Sequence, residues 1–437
     1  MFGRPKPEVL IAGAGPVGLF AALWLTKRGV RVRVVDEEWR GATHSYALAL
    51  HPRSLELLDE VGLVDSVLAD CRRVDQMGLY VGAERRAGMD LSKLPAKYPF
   101  LAIMPQASFE KLLEEALGKE GVEVEWAHRL ARINPGSDAV TVTIDTLEHD
   151  SLGYAVAHTE TIVERSQKLD VPFLIGADGH SSVVRTQHGI KFDAVRPADH
   201  FAVFEFDATG DVPDEVCVVM NDTDTNVLWP MSDQRYRWSF QLDEMHARDD
   251  SREKDRLLMQ VGNRGYPQLA PEFLHQMIRE RAPWFTARPE RIHWRMAVKF
   301  EQRLARSFGS DRVWLAGDSA HMTGPVGGQS MNVGLREAAQ LAEILAGNLR
   351  GSSSRDALAA YGSQRLTEWQ QLLGVGGSHL AMAGDVPDWL ADRSERVTAC
   401  IPASGVYLAQ LVKQLGFEPK IAPQPSVRPP PAPRHAP

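Results

Sequence analysis

The sequence is poor in cysteine and has no long apolar run. Its three cysteines, Cys71, Cys217 and Cys400, are too few and too widely spaced for a disulfide framework or a metal site. No apolar run reaches the roughly 18 residues of a membrane-spanning helix. The polar start, Met1 to Pro7, lacks the apolar core of a signal peptide. These absences predict a cytoplasmic protein without a membrane span, a disulfide or a metal site.

Positive charge is also scarce. Among 437 residues, 49 lysines and arginines stand against 57 aspartates and glutamates, which gives a net charge of −8. A surface for nucleic acid or acidic lipid needs an excess of Lys and Arg on one face, and no basic stripe interleaved with aromatics supplies one. The charge balance therefore argues against a nucleic-acid partner.

The chain does contain a glycine fingerprint close to its start. Glu8 to Ala12 reads as an apolar strand, Val17 to Lys27 as an apolar-rich helix that Gly29 ends, and Val30 to Val35 as a second strand. The segment Gly13-Ala14-Gly15-Pro16-Val17-Gly18, here called the glycine turn, joins the first strand to the helix. A βαβ unit of about 30 residues is the context in which this fingerprint binds a dinucleotide.

Each glycine of this turn has a separate expected role. Gly13 allows the tight turn, Gly15 lets the backbone approach a pyrophosphate, and Gly18 lets the helix pack on the strand. Pro16 and Val17 open the helix, whose unpaired N–H groups and positive dipole end favour phosphate. The turn therefore predicts a pyrophosphate site.

Asp36 follows the second strand, 36 − 18 = 18 residues after the last glycine. This spacing is close to the roughly 20 residues expected for a carboxylate that accepts hydrogen bonds from an adenosine ribose. A glycine-rich turn without a ligand is the alternative interpretation, and the turn by itself does not separate FAD from NAD.

Two later segments contain glycine next to aspartate, and both follow short apolar strands. The first is Ile175-Gly176-Ala177-Asp178-Gly179-His180-Ser181-Ser182-Val183-Val184-Arg185, here called the Asp-Gly motif. The second is Arg312 to His321, which contains Gly317-Asp318 and is here called the Gly-Asp motif. It continues into Gly324-Pro325-Val326-Gly327-Gly328-Gln329-Ser330-Met331-Asn332-Val333-Gly334, here called loop 324–334. Three motifs in this order point to one large phosphate-bearing cofactor.

These segments resemble the motifs of the single-component (group A) FAD-dependent aromatic monooxygenases, which have the p-hydroxybenzoate hydroxylase fold. The resemblance covers roughly residues 8 to 350. It implies an α/β fold class: a Rossmann-like FAD-binding domain with an inserted antiparallel β-sheet substrate domain and a C-terminal helical segment. FAD is then the resident cofactor, and NADPH or NADH a transient co-substrate, since no second G-x-G-x-x-G occurs.

The resemblance also implies site residues. Asp318 would bind ribityl hydroxyls, Asp178 and Arg185 would serve the region between FAD and the nicotinamide, and Gln106 would contact the flavin. Pro325 would lie against the reacting ring as the one residue assigned to catalysis. The expected cofactor-binding residues are Gly13, Gly15, Pro16, Val17, Gly18, Asp36, Arg53, Gln106, Asp178, Arg185, Asp318, Pro325, Gly327, Gly328, Met331 and Asn332. For Arg53, a contact near the FAD phosphates and an ordinary solvated arginine at a helix start remain equal alternatives.

The domain boundaries follow from changes in pattern along the chain. We expect the FAD-binding domain over 1–75, 101–190 and 301–350, and the substrate-binding sheet over 76–100 and 191–300. Helical patterns cover 351–417, and the proline-rich tail 418–437 is expected to be disordered. Phe109, Leu112, Leu113, Ala116 and Leu117 predict an amphipathic helix over 106–118.

Some positions depart from the family pattern. Tyr46 stands where many relatives carry arginine, Gly324 replaces a common proline, and Ser330 replaces a common glycine. These changes affect the mobility of the flavin and the shape of the pocket more than FAD binding itself.

The implied function is hydroxylation of an aromatic or phenol-like small molecule with NAD(P)H and O₂ through a C4a-hydroperoxyflavin, with secondary metabolism as one setting. Epoxidation, Baeyer–Villiger insertion and a reductase of the same superfamily remain alternatives, and a non-catalytic FAD-binding protein is a remote one. His44, Tyr46 and Tyr236 are candidate bases for a phenolic substrate or ordinary hydrogen-bonded residues, and Trp229, Tyr236 and Trp238 either line its pocket or simply fill the core. The sequence does not predict the substrate or the oligomeric state.

Overall fold

The computed structural model describes residues 6–39, 48–152, 158–242, 258–261, 264–267, 269–375, 382–383 and 386–419. Its strands, in chain order, are β1 Val9–Ala12, β2 Val32–Val35, β3 Ala49–Leu50, β4 Arg72–Val74, β5 Gln76–Val81, β6 Glu84–Asp90, β7 Leu101–Ile103, β8 Val124–Glu125, β9 His128–Pro135, β10 Val140–Leu152, β11 His158–Val171, β12 Phe173–Gly176, β13 Phe192–Ala194, β14 Asp199–Thr209, β15 Val216–Met220, β16 Thr225–Pro230, β17 Arg235–Leu242, β18 Leu258–Val261, β19 Arg264–Pro267, β20 Arg288–Phe300, β21 Arg303–Ala305, β22 Gly309–Ser310, β23 Val313–Leu315, β24 His321–Met322, β25 Met382–Ala383 and β26 Glu418–Pro419.

The helices alternate with these strands in the first half and dominate the end of the chain. They are α1 Pro16–Lys27, α2 Pro52–Glu60, α3 Val64–Ala69, α4 Gln106–Lys119, α5 Val183–Gln187, α6 Pro271–Arg281, α7 Gln329–Leu349, α8 Arg355–Leu373, α9 Asp388–Ala391, α10 Ser394–Cys400 and α11 Gly405–Gln414. Short 3₁₀ helices lie at Leu91–Lys93 and Gly317–Ser319.

A six-stranded sheet carries all three motifs. Its strand order is β22-β23-β12-β1-β2-β8, and every neighbouring pair is parallel except β22 with β23. Strands β1, β12 and β23 lie side by side, so the glycine turn, the Asp-Gly motif and the Gly-Asp motif all leave the same edge of the sheet. This arrangement is the usual dinucleotide-binding crevice at the carboxyl ends of parallel strands.

Helix α1 fits the sequence pattern that predicts it. Pro16 occupies the first turn, where a missing N–H costs nothing, and Gly29 ends the segment with φ +72°. Leu19 to Leu25 are all buried, because α1 contacts both α7 and α4. The predicted helix over 106–118 is confirmed as α4, with Phe109, Leu113 and Leu117 facing the core.

A seven-stranded sheet forms the second layer, in the order β20-β14-β17-β16-β15-β5-β6. Its strands come from residues 76–90 and 199–300, which lie within the stretches 76–100 and 191–300 that we expect to build the inserted sheet. We expected an antiparallel sheet, and one neighbouring pair differs: β15 pairs with β5 in parallel. No hairpin joins these two strands, so turn geometry does not set their relative direction.

The two faces of this sheet bury different cores. On one face Phe201, Val203 and Val227 pack with Val326 of loop 324–334 and with Ile401 of the C-terminal region. On the other face Phe204, Trp238 and Phe240 pack against α6. Alternate residues of β14 therefore point to opposite cores, as the period-two geometry of a strand requires, and one face of the sheet packs on loop 324–334.

A smaller sheet, β11-β10-β9, was only partly expected. The alternation at Val140, Val142 and Ile144 predicts a half-exposed strand, and these three side chains are buried. The strand runs further than the alternation, to Leu152, because β11 pairs with it along its whole length.

Candidate functional site

The glycine turn is tightly packed on one side and open on the other. Gly13 has φ +104°, and a Cβ there would lie 2.1 Å from the carbonyl oxygen of Ala177. A Cβ on Gly18 would lie 2.0 Å from the carbonyl oxygen of Gly13. A Cβ on Gly15 would meet nothing within 4 Å. Gly13 and Gly18 are thus required by the protein itself, and Gly15 is the glycine that leaves room for a ligand.

Asp36 supports the turn from the end of β2. Its Oδ2 accepts a hydrogen bond from the N–H of Ala14 at 2.6 Å, and its Oδ1 accepts from the N–H of Glu38 at 2.9 Å. Each carboxylate oxygen has a second acceptor site, so the side chain can hold the turn and still bind ribose hydroxyls.

A cavity of about 880 Å³ opens beside this turn and is here called the turn cavity. Its walls include Gly13, Gly15, Asp36, Gln106, Asp178 and Val183. The volume lies in the range of known ligand pockets, roughly 300–1,000 Å³. The open face of Gly15 and the N-terminus of α1 are suited to a pyrophosphate, so the residues present fit the adenosine diphosphate part of FAD.

Gln106 and Arg53 lie at the starts of two helices, α4 and α2. Gln106 lines the turn cavity, and its amide donates a hydrogen bond to Glu110 Oε1 at 2.8 Å. Arg53 is on the first turn of α2, where its Nη1 lies 2.8 Å from Glu56 Oε2, and 42% of its side chain is exposed. It does not line the turn cavity, and its contact with the FAD phosphates stays a prediction.

Asp178 is engaged by the protein itself. Its carboxylate accepts hydrogen bonds from Ser182 Oγ at 2.5 Å and from the N–H of Val184 at 3.0 Å. Burial raises the pKa of this carboxyl, and those hydrogen bonds oppose the rise. Asp178 thereby fixes the start of α5.

Arg185 connects the Asp-Gly motif to the Gly-Asp motif. Its guanidinium donates to the carbonyl oxygens of Ser319 at 2.8 Å and of His180 at 2.7 Å, and lies 4.0 Å above the ring of Phe192. A direct contact of Asp178 or Arg185 with a nicotinamide stays a prediction.

Val17 joins the first and third motifs. A Cβ on Gly317 would lie 3.0 Å from Val17 Cγ2, and a Cβ on Gly334 would lie 2.7 Å from the same atom. Gly317 also has φ +66°. The two glycines therefore let the Gly-Asp motif and α7 close around Val17, which places Asp318 near the glycine turn.

A buried carboxylate supports the Gly-Asp motif through hydrogen bonds. Glu337 of α7 accepts hydrogen bonds from the N–H of Gly317 at 3.1 Å, from His321 Nε2 at 2.8 Å and from Trp369 Nε1 at 2.7 Å. His321 and Glu337 are fully buried, and the His321 ring stacks on Trp369 with centroids 3.8 Å apart. His321 is thus a structural residue that ties the motif to α8.

Asp318 itself is exposed. Ser330 Oγ, on the first turn of α7, donates a hydrogen bond to Asp318 Oδ1 at 2.5 Å. Ser330 is the residue that departs from the common glycine, and its hydroxyl orients the carboxylate expected to bind the ribityl chain.

Loop 324–334 is held on both sides by parts of the chain far from it in sequence. A Cβ on Gly327 would lie 2.3 Å from the carbonyl oxygen of Ala399, so α10 packs directly on the loop. Gln329 Nε2 donates to the carbonyl oxygens of Thr398 at 3.2 Å and Ile401 at 3.3 Å. Gly328 begins α7 with φ +60°. The C-terminal region therefore shapes the cofactor loop.

Both polar atoms of the Asn332 side chain form hydrogen bonds with other residues of the protein. Its Oδ1 accepts from the N–H of His51 at 2.8 Å and from Ser54 Oγ at 2.7 Å. Its Nδ2 donates to the carbonyl oxygens of Ala49 at 2.8 Å and Gly328 at 2.7 Å. Met331 packs partly buried against the core. Any contact of Asn332 with FAD is thus left to its backbone.

His51 holds the loop from the side of α2. Its Nε2–H donates to the carbonyl oxygen of Gly327 at 3.0 Å. Burial lowers the pKa of this imidazole to about 3, with the bond to Gly327 opposing the shift and Arg336 adding to it. The ring is therefore neutral at physiological pH, which makes it a structural donor.

A second cavity of about 530 Å³ lies next to loop 324–334 and is here called the loop cavity. Its walls include Asp199, Phe201, Gln241, Gln302, Pro325 and Cys400. They come from the seven-stranded sheet, the turn after β20, the loop itself and α10. The sequence assigned no role to the segment around Cys400, and Asp199, Gln241 and Gln302 were missed because they belong to no motif.

The expected aromatic pocket residues do not line this cavity. Tyr236 and Trp238 are buried in the core on the opposite face of the sheet, and Trp229 is buried on the near face. All three side chains thus fill cores, which is the alternative interpretation of these residues. His44 and Tyr46 lie outside the described residues.

In the part of the chain that the structure describes, no group of three or more His, Cys, Asp or Glu side chains is placed to hold a metal ion. Within the same residues, no helix has the length and apolar character needed to cross a membrane.

Comparison with known proteins agrees with this site. Residues 6–374 match the FAD binding domain family. The chain is 32% identical over 377 residues to 6-methylpretetramide 4-monooxygenase of Streptomyces rimosus. The aligned region covers 84% of this chain and 60% of that protein. It is 28% identical over 400 residues to pentachlorophenol 4-monooxygenase of Sphingobium chlorophenolicum, and that alignment covers 90% of this chain and 68% of the relative.

A solved structure shares the architecture. The crystal structure of p-nitrophenol 4-monooxygenase from Pseudomonas putida DLL-E4 superposes with a TM-score of 0.67 at 20% identity, covering 94% of this chain and 98% of that one. At this identity the likeness shows the fold alone.

The fold and the cofactor site define an FAD-dependent flavoprotein. The chain belongs to the FAD binding domain family. It spans 60% of the length of the Streptomyces relative.

Proposed function

We propose that this protein is a monooxygenase that uses FAD, NAD(P)H and O₂ to hydroxylate an aromatic or phenol-like small molecule. The observation that carries the proposal is the cavity beside loop 324–334. This loop follows the Gly-Asp motif in the chain, and its residues Gly324, Pro325 and Val326 line the loop cavity. A protein that only binds FAD has no need of a second cavity on that loop.

When bound, FAD supplies the redox chemistry: it takes a hydride from NAD(P)H and brings about the transfer of one oxygen atom from O₂ to the substrate. The chain's own residues bind and orient. Gly15 and the N-terminus of α1 would hold the pyrophosphate, Asp36 would bind the ribose and Asp318 would bind the ribityl chain. Pro325 and Val326 would keep the substrate against the ring and exclude water there.

The curated relatives support an aromatic substrate. Two of them are named for the compounds 6-methylpretetramide and pentachlorophenol, the second of which is a phenol. The loop cavity, at about 530 Å³, lies in the size range of pockets for drug-sized ligands. We therefore propose a substrate of one or more aromatic rings, of the kind made in secondary metabolism.

The proposal includes the surroundings of the reaction. The cytoplasm is the expected compartment, because it supplies NAD(P)H. The net charge of −8 supports a function without nucleic acid.

The test begins with the purified protein and its visible spectrum, followed by oxidation of NADH and NADPH with and without aromatic compounds. We expect a yellow protein whose NAD(P)H oxidation an aromatic compound accelerates, with labelled oxygen from O₂ in the product. A colourless protein that does not take up FAD would overturn the proposal. Accelerated oxidation without labelled product would favour the reductase alternative.

A further inference from the structure

Asp199 places a carboxylate where the seven-stranded sheet meets loop 324–334. It is the first residue of β14, and it lines the loop cavity together with Phe201, two residues further on. Residues two apart on a strand face the same side. Asp199 pairs with Phe300, the last residue of β20. Three residues further along the chain, Arg303 pairs with Met322. The residue after Met322 is Thr323, which lines the cavity. The carboxylate therefore lies at the level where the cofactor loop begins.

Two glutamine amides hold this carboxylate. Gln241 Nε2 donates to Asp199 Oδ1 at 2.9 Å, and Gln302 Nε2 donates to Asp199 Oδ2 at 3.1 Å. The amide of Gln241 has a fixed orientation, because its Oε1 accepts from the N–H of Thr225 at 2.8 Å. Each carboxylate oxygen can accept a second hydrogen bond, so the two amides leave acceptor capacity on a fixed carboxylate.

The basic residues of the cavity do not neutralise Asp199 directly. Arg196 pairs with Glu395 at 3.2 Å, and Arg396 donates to the carbonyl oxygens of Asn221 at 2.7 Å and Asp224 at 2.9 Å. Within the described chain, no Lys or Arg forms an ion pair with Asp199. Burial raises the pKa of this carboxyl, while the two amides and Arg196 oppose the rise. A carboxylate with a raised pKa is a stronger proton acceptor than an exposed one.

We propose that Asp199 is the catalytic base of the loop cavity and that the substrate carries an aromatic hydroxyl directed at it. This inference rests on the proposed function. In the step, the O–H bond of the hydroxyl breaks, its proton bonds to a carboxylate oxygen of Asp199, and the electron pair stays on the ring oxygen. Nothing is oxidised or reduced, and the proton later leaves to solvent. The resulting aryloxide ring is richer in electrons, which favours oxygen transfer to carbon.

The binding test uses the holoenzyme and two matched probes, naphthol and methoxynaphthalene. They differ in one methyl group, and only naphthol donates a hydrogen bond. A hydrogen bond to a charged acceptor contributes about 1.5–3 kcal/mol, so wild-type protein should bind naphthol about 10-fold or more tightly. Equal binding of the two probes, or no binding of naphthol, would overturn the assignment without any variant.

Asp199→Asn is the matched variant, since it keeps shape and removes charge. It should abolish the preference for naphthol over the ether. It should also slow naphthol hydroxylation by about 100-fold or more, the usual effect of losing a general base. The defect should shrink for a cyano-substituted naphthol, which ionises without help. A merely structural role would slow both naphthols equally, and that result would overturn the proposal.

Asp207→Asn is the control. Asp207 lies on the same strand and pairs with His293 at 2.7 Å, away from the cavity lining. It should leave probe preference and rate unchanged. FAD content and NAD(P)H oxidation of each protein report on the proposed function separately. If the wild-type protein hydroxylates naphthol and the Asp199→Asn variant does so at the same rate, the result contradicts the role of Asp199 and leaves the proposed function standing.

Discussion

The turn cavity and the loop cavity are built in opposite ways. The turn cavity is lined largely by short contiguous segments, the glycine turn, the end of β2 and the Asp-Gly motif. The loop cavity takes single residues from strands, a turn, a loop and the C-terminal helices. Backbone shape governs the first, since a cofactor phosphate is recognised by N–H groups. Side chains govern the second, since each substrate requires its own set.

The largest expected effect concerns backbone shape in the glycine turn. Gly13→Ala should abolish FAD binding and destabilise the fold by about 3 kcal/mol or more, because its Cβ would lie 2.1 Å from a backbone oxygen at φ +104°. Gly15→Ala is the matched control, with nothing within 4 Å of its Cβ. It should keep the melting temperature and weaken FAD binding alone. Thermal unfolding and FAD titration of both variants measure this, and a Gly13→Ala protein with normal FAD affinity would refute it.

The next effect concerns the buried support of the Gly-Asp motif. Glu337→Leu should lower the free energy of unfolding by about 3 kcal/mol, because Gly317, His321 and Trp369 would each lose an acceptor in the core. Glu343→Gln, on the exposed side of the same helix, should cost less than about 1 kcal/mol. Denaturant unfolding compares the two. Similar losses in both would show that Glu337 does not hold the Gly-Asp motif.

His51 should make stability depend on pH. Its folded-state pKa of about 3 lies below the ordinary 6.5, so between these values the unfolded chain binds a proton that the folded chain does not. Stability therefore falls as pH falls from 6.5 towards 3. Between pH 7 and 5 the loss should be about 2 kcal/mol in wild type, and His51→Gln should lose correspondingly less. Parallel stability curves for the two proteins would count against a buried neutral imidazole.

The smallest effect concerns the side chain that orients Asp318. Ser330→Ala removes the hydroxyl that donates to the carboxylate at 2.5 Å, and a hydrogen bond of this kind contributes about 1 kcal/mol. FAD affinity should weaken about fivefold, as measured by titration of the apoprotein. Ser363→Ala, whose hydroxyl only donates to its own helix, should leave the affinity unchanged. Unchanged affinity in both variants would sink the idea that Ser330 orients Asp318.

The contrast between contiguous segments and scattered side chains explains how much of the fold and of the site the sequence predicts. The βαβ unit, the three motifs and the inserted sheet were predictable, because each depends on contiguous residues with local geometric requirements. The packing of Gly13, Gly317 and Gly334 follows from such requirements. The side chains of Asp178, Arg185 and Asn332 prove to be bonded inside the protein, a difference that no motif shows.

The loop cavity was not predictable, for a physical reason. Asp199, Gln241 and Gln302 meet only because β14, β17 and the turn after β20 are neighbours in the folded sheet. The alternation of Tyr236, Trp238 and Phe240 does predict a common face. Which of the two cores that face meets is decided by α6 and the C-terminal helices, and periodicity contains no such information.

One measurement tests the central claim most directly. The FAD-loaded protein is given one equivalent of NADPH and naphthol under labelled O₂, and the product is examined by mass spectrometry together with any peroxide. We expect one labelled oxygen atom in the ring product for each NADPH consumed. Consumption of NADPH with peroxide as the only oxygen product, at naphthol concentrations that saturate the loop cavity, would contradict it.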